Sequence, residues 1–218
     1  MDAATGNSLD SKNYEAYKAI KDLILTGQLF PGQKIIYRDL EEKLRMSKTP
    51  IINALMMLER DDLVVSKKNR GFCIRVVNRK EAEQIYELRQ ALERIAVENA
   101  IKCHDKHDLA VLKARLDEYE KYESDVYDQK RWALDSAFHL QVCAMGKNPF
   151  FVRMMEQFYE NIYFMLKVIF LNPSVERFKR DHELLYKAIK DRCLEEAQRI
   201  AREHFDTAKD LLVKMMRT

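Results

Sequence analysis

The sequence predicts a mainly α protein in two parts, three short helices with a β-hairpin followed by an all-α six-helix bundle. Three observations predict it. Helix breakers are scarce, with 5 Gly and 4 Pro in 218 residues. Apolar residues recur at helical spacing along most of the chain. The exception is "LVVSKKNRGFCIRVV", which reads as two short β segments around a basic turn at Lys67, Lys68, Asn69, Arg70 and Gly71. At 47% hydrophobic and 33% charged, the chain can build a core and falls outside the disordered class.

In chain order, residues 1–12 read as a flexible tail. Tyr17, Ile20, Leu23 and Ile24 mark a first helix that ends near Gly27. "LFPGQKI" is then a tight turn, because Pro31 presets one backbone angle and Gly32 tolerates a positive one. A second helix spans about 37–45, with Leu40 and Leu44 inward. The third begins in "MSKTPIINALMMLERDDLVV". Ser47 fits its N-cap, where the hydroxyl accepts from an orphan amide. Pro50 sits in the first turn, where a missing N–H costs little. Ile51, Ala54, Leu55 and Leu58 form the inward seam, while Thr49, Asn53 and Met56 face the other way at about 100° per residue. Three helices and a basic hairpin describe a winged helix-turn-helix over residues 13–78, whose third helix enters the DNA major groove and whose wing touches the backbone or minor groove.

Beyond residue 78 the texture changes, and Gly146, Pro149 and Pro173 are the only breakers. Six helices are expected, at about 81–102, 108–127, 130–145, 149–171, 174–190 and 194–216, burying their stripes together over 79–218. Charge is unevenly spread: residues 1–78 hold 13 Lys/Arg against 10 Asp/Glu, and the remainder 25 of each. The excess points weakly to a polyanion partner. Cys73, Cys103, Cys143 and Cys193 are scattered and read as reduced thiols. With no membrane-length apolar run and no signal-peptide apolar region, the expected location is cytoplasmic.

One polar constellation falls on the bundle. Asp135 and His139 are four apart and share a helix face beside Phe138 and Val142. His182 accompanies Leu185 and Ile189, and His204 accompanies Ile200 and Ala201. A carboxylate and three imidazoles meeting in a bundle interior make a metal site; separately, they are hydrogen-bonded core residues. His104 and His107, in the polar "CHDKHD", read as surface groups, and Cys143 as an inert core thiol. Arg89 stands among Ile85, Leu88, Leu92 and Ala96, and Asn161 among Phe158, Ile162 and Met165. Arg89 either pairs internally, for instance with Glu93, or holds an effector carboxylate together with Asn161.

The first part resembles the winged-helix domain of GntR-family transcription regulators, through "GQLFPGQKI", "DLEEKLRMSKTPIINALMMLERDDLV" and "NRGFCI". The second resembles the FCD effector domain, through "ELRQALERIAVENAI", "DSAFHLQV", "GKNPFF" and "DHELLYKAI". Carried over, the resemblance implies DNA contacts at Arg38, Ser47, Lys48, Thr49, Arg70 and Gly71; Asn53 joins them from geometry, as an outward amide able to pair with adenine. Four positions depart from the family pattern. Arg45 replaces a usual Gly, Ile52-Asn53 a usual Arg-Glu pair, and Lys48 a frequent Arg, which weakens bidentate guanine reading. The FCD pattern Asp-x-x-x-His, His, His falls on Asp135, His139, His182 and His204 and implies a divalent metal, zinc first, with nickel or manganese as alternatives. The expected protein is a homodimeric regulator, a repressor, reading a palindromic operator in double-stranded DNA and responding to a small organic acid, with no catalytic residues. A direct metal-responsive regulator, or a metal-dependent enzyme domain fused to a DNA-binding module, are the alternatives.

Overall fold

The computed structural model describes residues 3–68, 70–124, 128–166 and 175–216. Within them the chain forms nine helices and one two-stranded antiparallel sheet, and it divides into two compact units, Met1–Val77 and Asn78–Thr218. The mainly α reading, with a small winged helix-turn-helix and a six-helix bundle, holds. No helix among the described residues is long and apolar enough to cross a membrane.

In the first unit, α1 (Ala3–Leu25), α2 (Tyr37–Leu44) and α3 (Lys48–Arg60) precede the hairpin of β1 (Val64–Lys67) and β2 (Gly71–Ile74). Residues 3–12, expected as a tail, are the first turns of α1 instead. Once later turns of a helix are packed, adding residues at its end fixes one residue per hydrogen bond, which costs far less than nucleation. The seam of α3 packs against α1 and α2, and Ile51, Ala54, Leu55 and Leu58 are wholly buried. Burying each Leu or Ile contributes roughly 1.5–3 kcal/mol. The hairpin pairs Val64 with Ile74 and Lys67 with Gly71, and Lys34 bridges to Cys73 on the open edge of β2. Of the expected basic turn, Asn69 lies outside the described residues.

Arg45 closes α2 in the left-handed conformation, at φ 53° and ψ 41°, and its N–H bonds the carbonyl of Glu41. A Cβ in that region costs about 1 kcal/mol, which glycine avoids. The arginine thus keeps the backbone bend of the family's glycine at a cost in strain. Arg45→Gly is expected to raise the melting temperature by a few degrees, corresponding to about 0.5–1 kcal/mol. A thermal melt in which the variant is less stable than the parent contradicts this.

The second unit comprises α4 (Arg79–Cys103), α5 (Lys106–Lys121), α6 (Gln129–Met145), α7 (Pro149–Leu166), α8 (Val175–Lys190) and α9 (Leu194–Met215). The end of α5 falls short of the expected 127, and residues 167–171 of the expected fourth bundle helix lie outside the described residues. Capping boxes open α4, between Asn78 and Glu81, and α5, between Asp105 and Asp108. Lys147 bonds both Asp105 and Asp108, tying the α6–α7 turn to the start of α5. Gly146 allows α6 to end against α4, since a Cβ there would stand 2.8 Å from that of Asn99. α4 packs on α6 and α9, α5 on α6 and α8, and α8 on α9. Four of these helices, α4, α6, α8 and α9, therefore direct one face each into a common interior.

Candidate metal centre and DNA-facing residues

Asp135 and His139 come from α6, His182 from α8 and His204 from α9. All four are buried, at 3%, 1%, 0% and 3% exposure, and one ligand atom from each lies within 4.8 Å of all the others. His139 Nε2 is 3.2 Å from His182 Nε2, and His182 Nε2 is 3.3 Å from Asp135 Oδ1. Bonds of about 2.0–2.2 Å to a common centre put adjacent donors roughly 3–3.5 Å apart, so the spacings of His182 to His139 and to Asp135 suit a transition ion. Around it stand two further carboxylates. His139 Nδ1 lies 3.4 Å from Glu93, and His204 Nδ1 lies 3.5 Å from Asp181. Outer carboxylates of this kind orient metal-bound imidazoles.

Electrostatics favour the ligand-ready form of His182, His204 and Asp135. Burial pushes the His182 imidazole down to about 3, with His204 and His139 adding to it against the opposing bond to Asp135. Burial also lowers His204. Burial by itself would raise Asp135, yet the bond from His182 and the nearby His139, His182 and Arg89 hold it well below the usual carboxylate range. Neutral imidazoles and an ionised carboxylate are what a metal needs.

Arg89 is 2% exposed on α4. Its Nη2 donates to Tyr159 at 3.1 Å and lies 3.5 Å from Asp135, while its guanidinium stacks against Tyr159 and Phe205. The expected pairing with Glu93 is thus replaced by one with Asp135. Glu93 instead accepts from the Tyr159 hydroxyl and faces His139. Arg89 Nε has no hydrogen-bond partner. Asn161 is not brought to this cluster. It is half-buried and accepts from Gln157 on its own helix at 3.3 Å, because the inward seam of α7 is Met155, Tyr159, Ile162 and Tyr163. The side chain of Met165, one of its expected neighbours, lies outside the described residues. His104 is also corrected. The last turn of α4 carries it inward, and its Nε2 meets the Ile189 carbonyl at 3.1 Å, whereas His107 is exposed. Cys143 lies in the core, where burial pushes its thiol well up.

Three wall residues carry no mark in the sequence, and a fourth, Glu93, is marked only as a partner for Arg89. Tyr159 and Tyr119 look like ordinary seam residues, and Asp181 merely precedes His182. The Tyr119 ring meets His182 edge-on at 4.5 Å. Burial first, and then the charge of Asp135, push its hydroxyl upward.

In the first unit, Ser47, Lys48 and Thr49 are exposed at the start of α3. Ser47 has N-cap backbone geometry but makes no side-chain capping bond, contrary to expectation. Arg38 is exposed and paired with Glu42 at 2.9 Å. Asn53 is half-buried, its amide donating to Asn13 at 3.3 Å. Arg70 is exposed at the wing, and Gly71 has φ +77° with Tyr37 against it. Lys48 stacks its ammonium over the same Tyr37, 5.3 Å from the ring centre, so Tyr37 links the wing to the start of α3.

Comparison with known proteins matches the FCD domain to residues 84–207 and the family described as bacterial regulatory proteins, gntR family, to residues 12–74. The HTH-type transcriptional regulator YdhC of Bacillus subtilis is 27% identical over 87% of this chain and 86% of its own length. The Nta operon transcriptional regulator of Aminobacter aminovorans is 25% identical over 84% of this chain and 87% of its own. The structure of E. coli McbR/YncC superposes with a TM-score of 0.70 at 22% identity, covering 93% of this chain and 97% of that one. The metal-free FCD domain of TM0439 superposes with a TM-score of 0.53 at 19% identity, covering 65% of this chain and 98% of that one.

Proposed function

Because this chain belongs to the GntR family and is a DNA-binding transcription regulator carrying an FCD domain, we propose that its bundle binds a divalent metal and a small carboxylic acid that together modulate operator binding. The observation that carries this reading is the convergence of Asp135, His139, His182 and His204 from three helices onto one buried point. Those four side chains would hold the ion, with zinc first and nickel or manganese as alternatives. When bound, the ion supplies positive charge and open coordination for an anion. Glu93 and Asp181 orient His139 and His204, and Arg89, with its free Nε, adds charge on the α4 side.

The regulator acts as a homodimeric repressor. Its two winged helices read a palindrome, since a two-fold protein matches a two-fold site. Ser47, Lys48, Thr49 and Asn53 serve α3 in the major groove, Arg38 joins from α2, and Arg70 and Gly71 serve the wing. The acid shifts DNA binding to the extent that it binds one arrangement more tightly than the other.

Binding to an operator selected from random DNA tests the placement of α3. Lys48→Ala is expected to weaken binding across sequences and lower the salt slope by about one. Asn53→Ala is expected to relax discrimination at one operator position by roughly 1–3 kcal/mol. Unchanged affinity and unchanged discrimination against scrambled DNA would remove α3 from the groove. Metal that exchanges freely and alone changes DNA binding would favour the direct metal-responsive reading.

A further inference from the structure

The outward face of α3 is more apolar than a solvent-facing helix requires. Its inward seam, Ile51, Ala54, Leu55 and Leu58, is committed to the core. At about 100° per residue the opposite face is Thr49, Asn53, Met56 and Arg60, with Ile52 on its shoulder. Met56 is 54% exposed, Thr49 and Arg60 are exposed, and Ile52 is half-buried. Asn53 is half-buried too, and its amide donates to Asn13 of α1 at 3.3 Å. Ile52 and Met56 are four apart, so their side chains adjoin, and Thr49 stands three before Ile52. The strip is framed by positive charge: Lys48 opens the helix and Arg60 ends it, both exposed. The one acid of α3, Glu59, is turned to the hairpin, where it accepts from the Ser66 N–H at 2.9 Å.

Scattered apolar side chains on a surface need no explanation, but a strip between two cations on a DNA-binding helix has a chemical counterpart. Each base pair shows a distinct edge in the major groove, and among unmodified pairs only T·A shows a methyl group there, at thymine C5. Aliphatic side chains meet that methyl and offer no hydrogen bond to the other bases. Cations at the two ends suit the phosphates that flank the groove. We propose that Ile52 and Met56 are specificity-determining residues that read thymine methyl groups in the major groove. Part of each operator half-site is then recognised by apolar contact rather than by hydrogen bonding. This rests on the placement of α3 in the groove and deepens it. The two residues differ in what they contribute. Ile52 lies in the second turn of α3, nearer the end that a recognition helix turns to the bases, and its branched side chain holds one rotamer. Met56 lies a turn further on and adapts its shape, so Ile52 should discriminate more sharply.

The experiment uses the full chain and the operator it selects from random DNA. Each thymine of one half-site is replaced in turn by deoxyuridine, which removes only the C5 methyl, and binding is followed by fluorescence anisotropy at fixed salt. At one thymine or more, this substitution should weaken binding of the parent about three- to fivefold, the worth of one methyl removed from water. Cytosine at the same position should bind poorly, and 5-methylcytosine, which carries the same methyl, should recover a similar factor. Ile52→Ala or Met56→Ala should bind the thymine and deoxyuridine operators equally. Both variants should keep the parent's salt dependence, because no phosphate contact is lost. Should Ile52→Ala fold poorly, Ile52→Val should shrink the methyl effect in part. An operator in which no thymine methyl matters, or a methyl effect unchanged in both variants, would overturn the proposal while leaving α3 in the groove. Failure to select any operator, or selection indifferent to Lys48→Ala, would instead remove the reading of α3 itself.

Discussion

Replacing His182 by alanine is expected to reduce bound metal from about one ion per chain to near zero, a loss in affinity of at least a hundredfold. His182 stands between the other ligands: its Nε2 is 3.2 Å from that of His139 and 3.3 Å from Asp135. Its removal leaves three donors from two helices, α6 and α9. The response to carboxylic acids should vanish with the metal, while the winged helix, a separate compact unit, keeps its own fold. The measurement is elemental analysis after zinc loading and gel filtration. Full occupancy in this variant would take His182 out of the site.

Arg89→Ala is expected to have the largest effect on stability. The guanidinium is 2% exposed and stands between Asp135 and Tyr159. Removing one partner of a buried ion pair leaves an uncompensated charge, at a cost of roughly 3–5 kcal/mol. That charge is the Asp135 carboxylate, so a bound divalent cation should restore part of the loss. Urea unfolding with zinc and with chelator measures both. The variant should be strongly destabilised in chelator and less so in zinc. An equal loss under both conditions would mean that Asp135 does not meet the metal.

Much of the fold was legible because the sequence states its helices plainly. Long periodic stretches with few breakers locate α4 to α9, and the seam Ile51, Ala54, Leu55 and Leu58 is wholly buried as the spacing requires. The left-handed Arg45 was legible only as a departure from a family glycine. The convergence of Asp135, His139, His182 and His204 was foreshadowed by their apolar neighbours, since periodicity says which face a residue occupies. It does not say which element that face meets. Thus Arg89 was known to be inward, but its partner is Asp135 on α6 rather than Glu93 on its own helix. Asn161 shows the same limit from the other side: Phe158 and Ile162 suggested a seam that runs instead through Met155 and Tyr159, placing the amide beside Gln157. His104 was hidden by its polar neighbours in sequence, because its ring meets a carbonyl of α8, Ile189, that spacing does not reveal. Tyr119 could not be found in advance, because its edge-on contact with His182 is a property of packing and leaves no trace in spacing.

The central claim is that the bundle is built around a metal. Elemental analysis of the purified protein, with melting in chelator and after reloading, tests it most directly. The account predicts about one divalent transition ion per chain, a melting temperature that falls in chelator, and recovery on adding zinc. A protein that holds no metal after reloading and melts alike in zinc and chelator would contradict it, and would make Asp135, His139, His182 and His204 a hydrogen-bonded polar core.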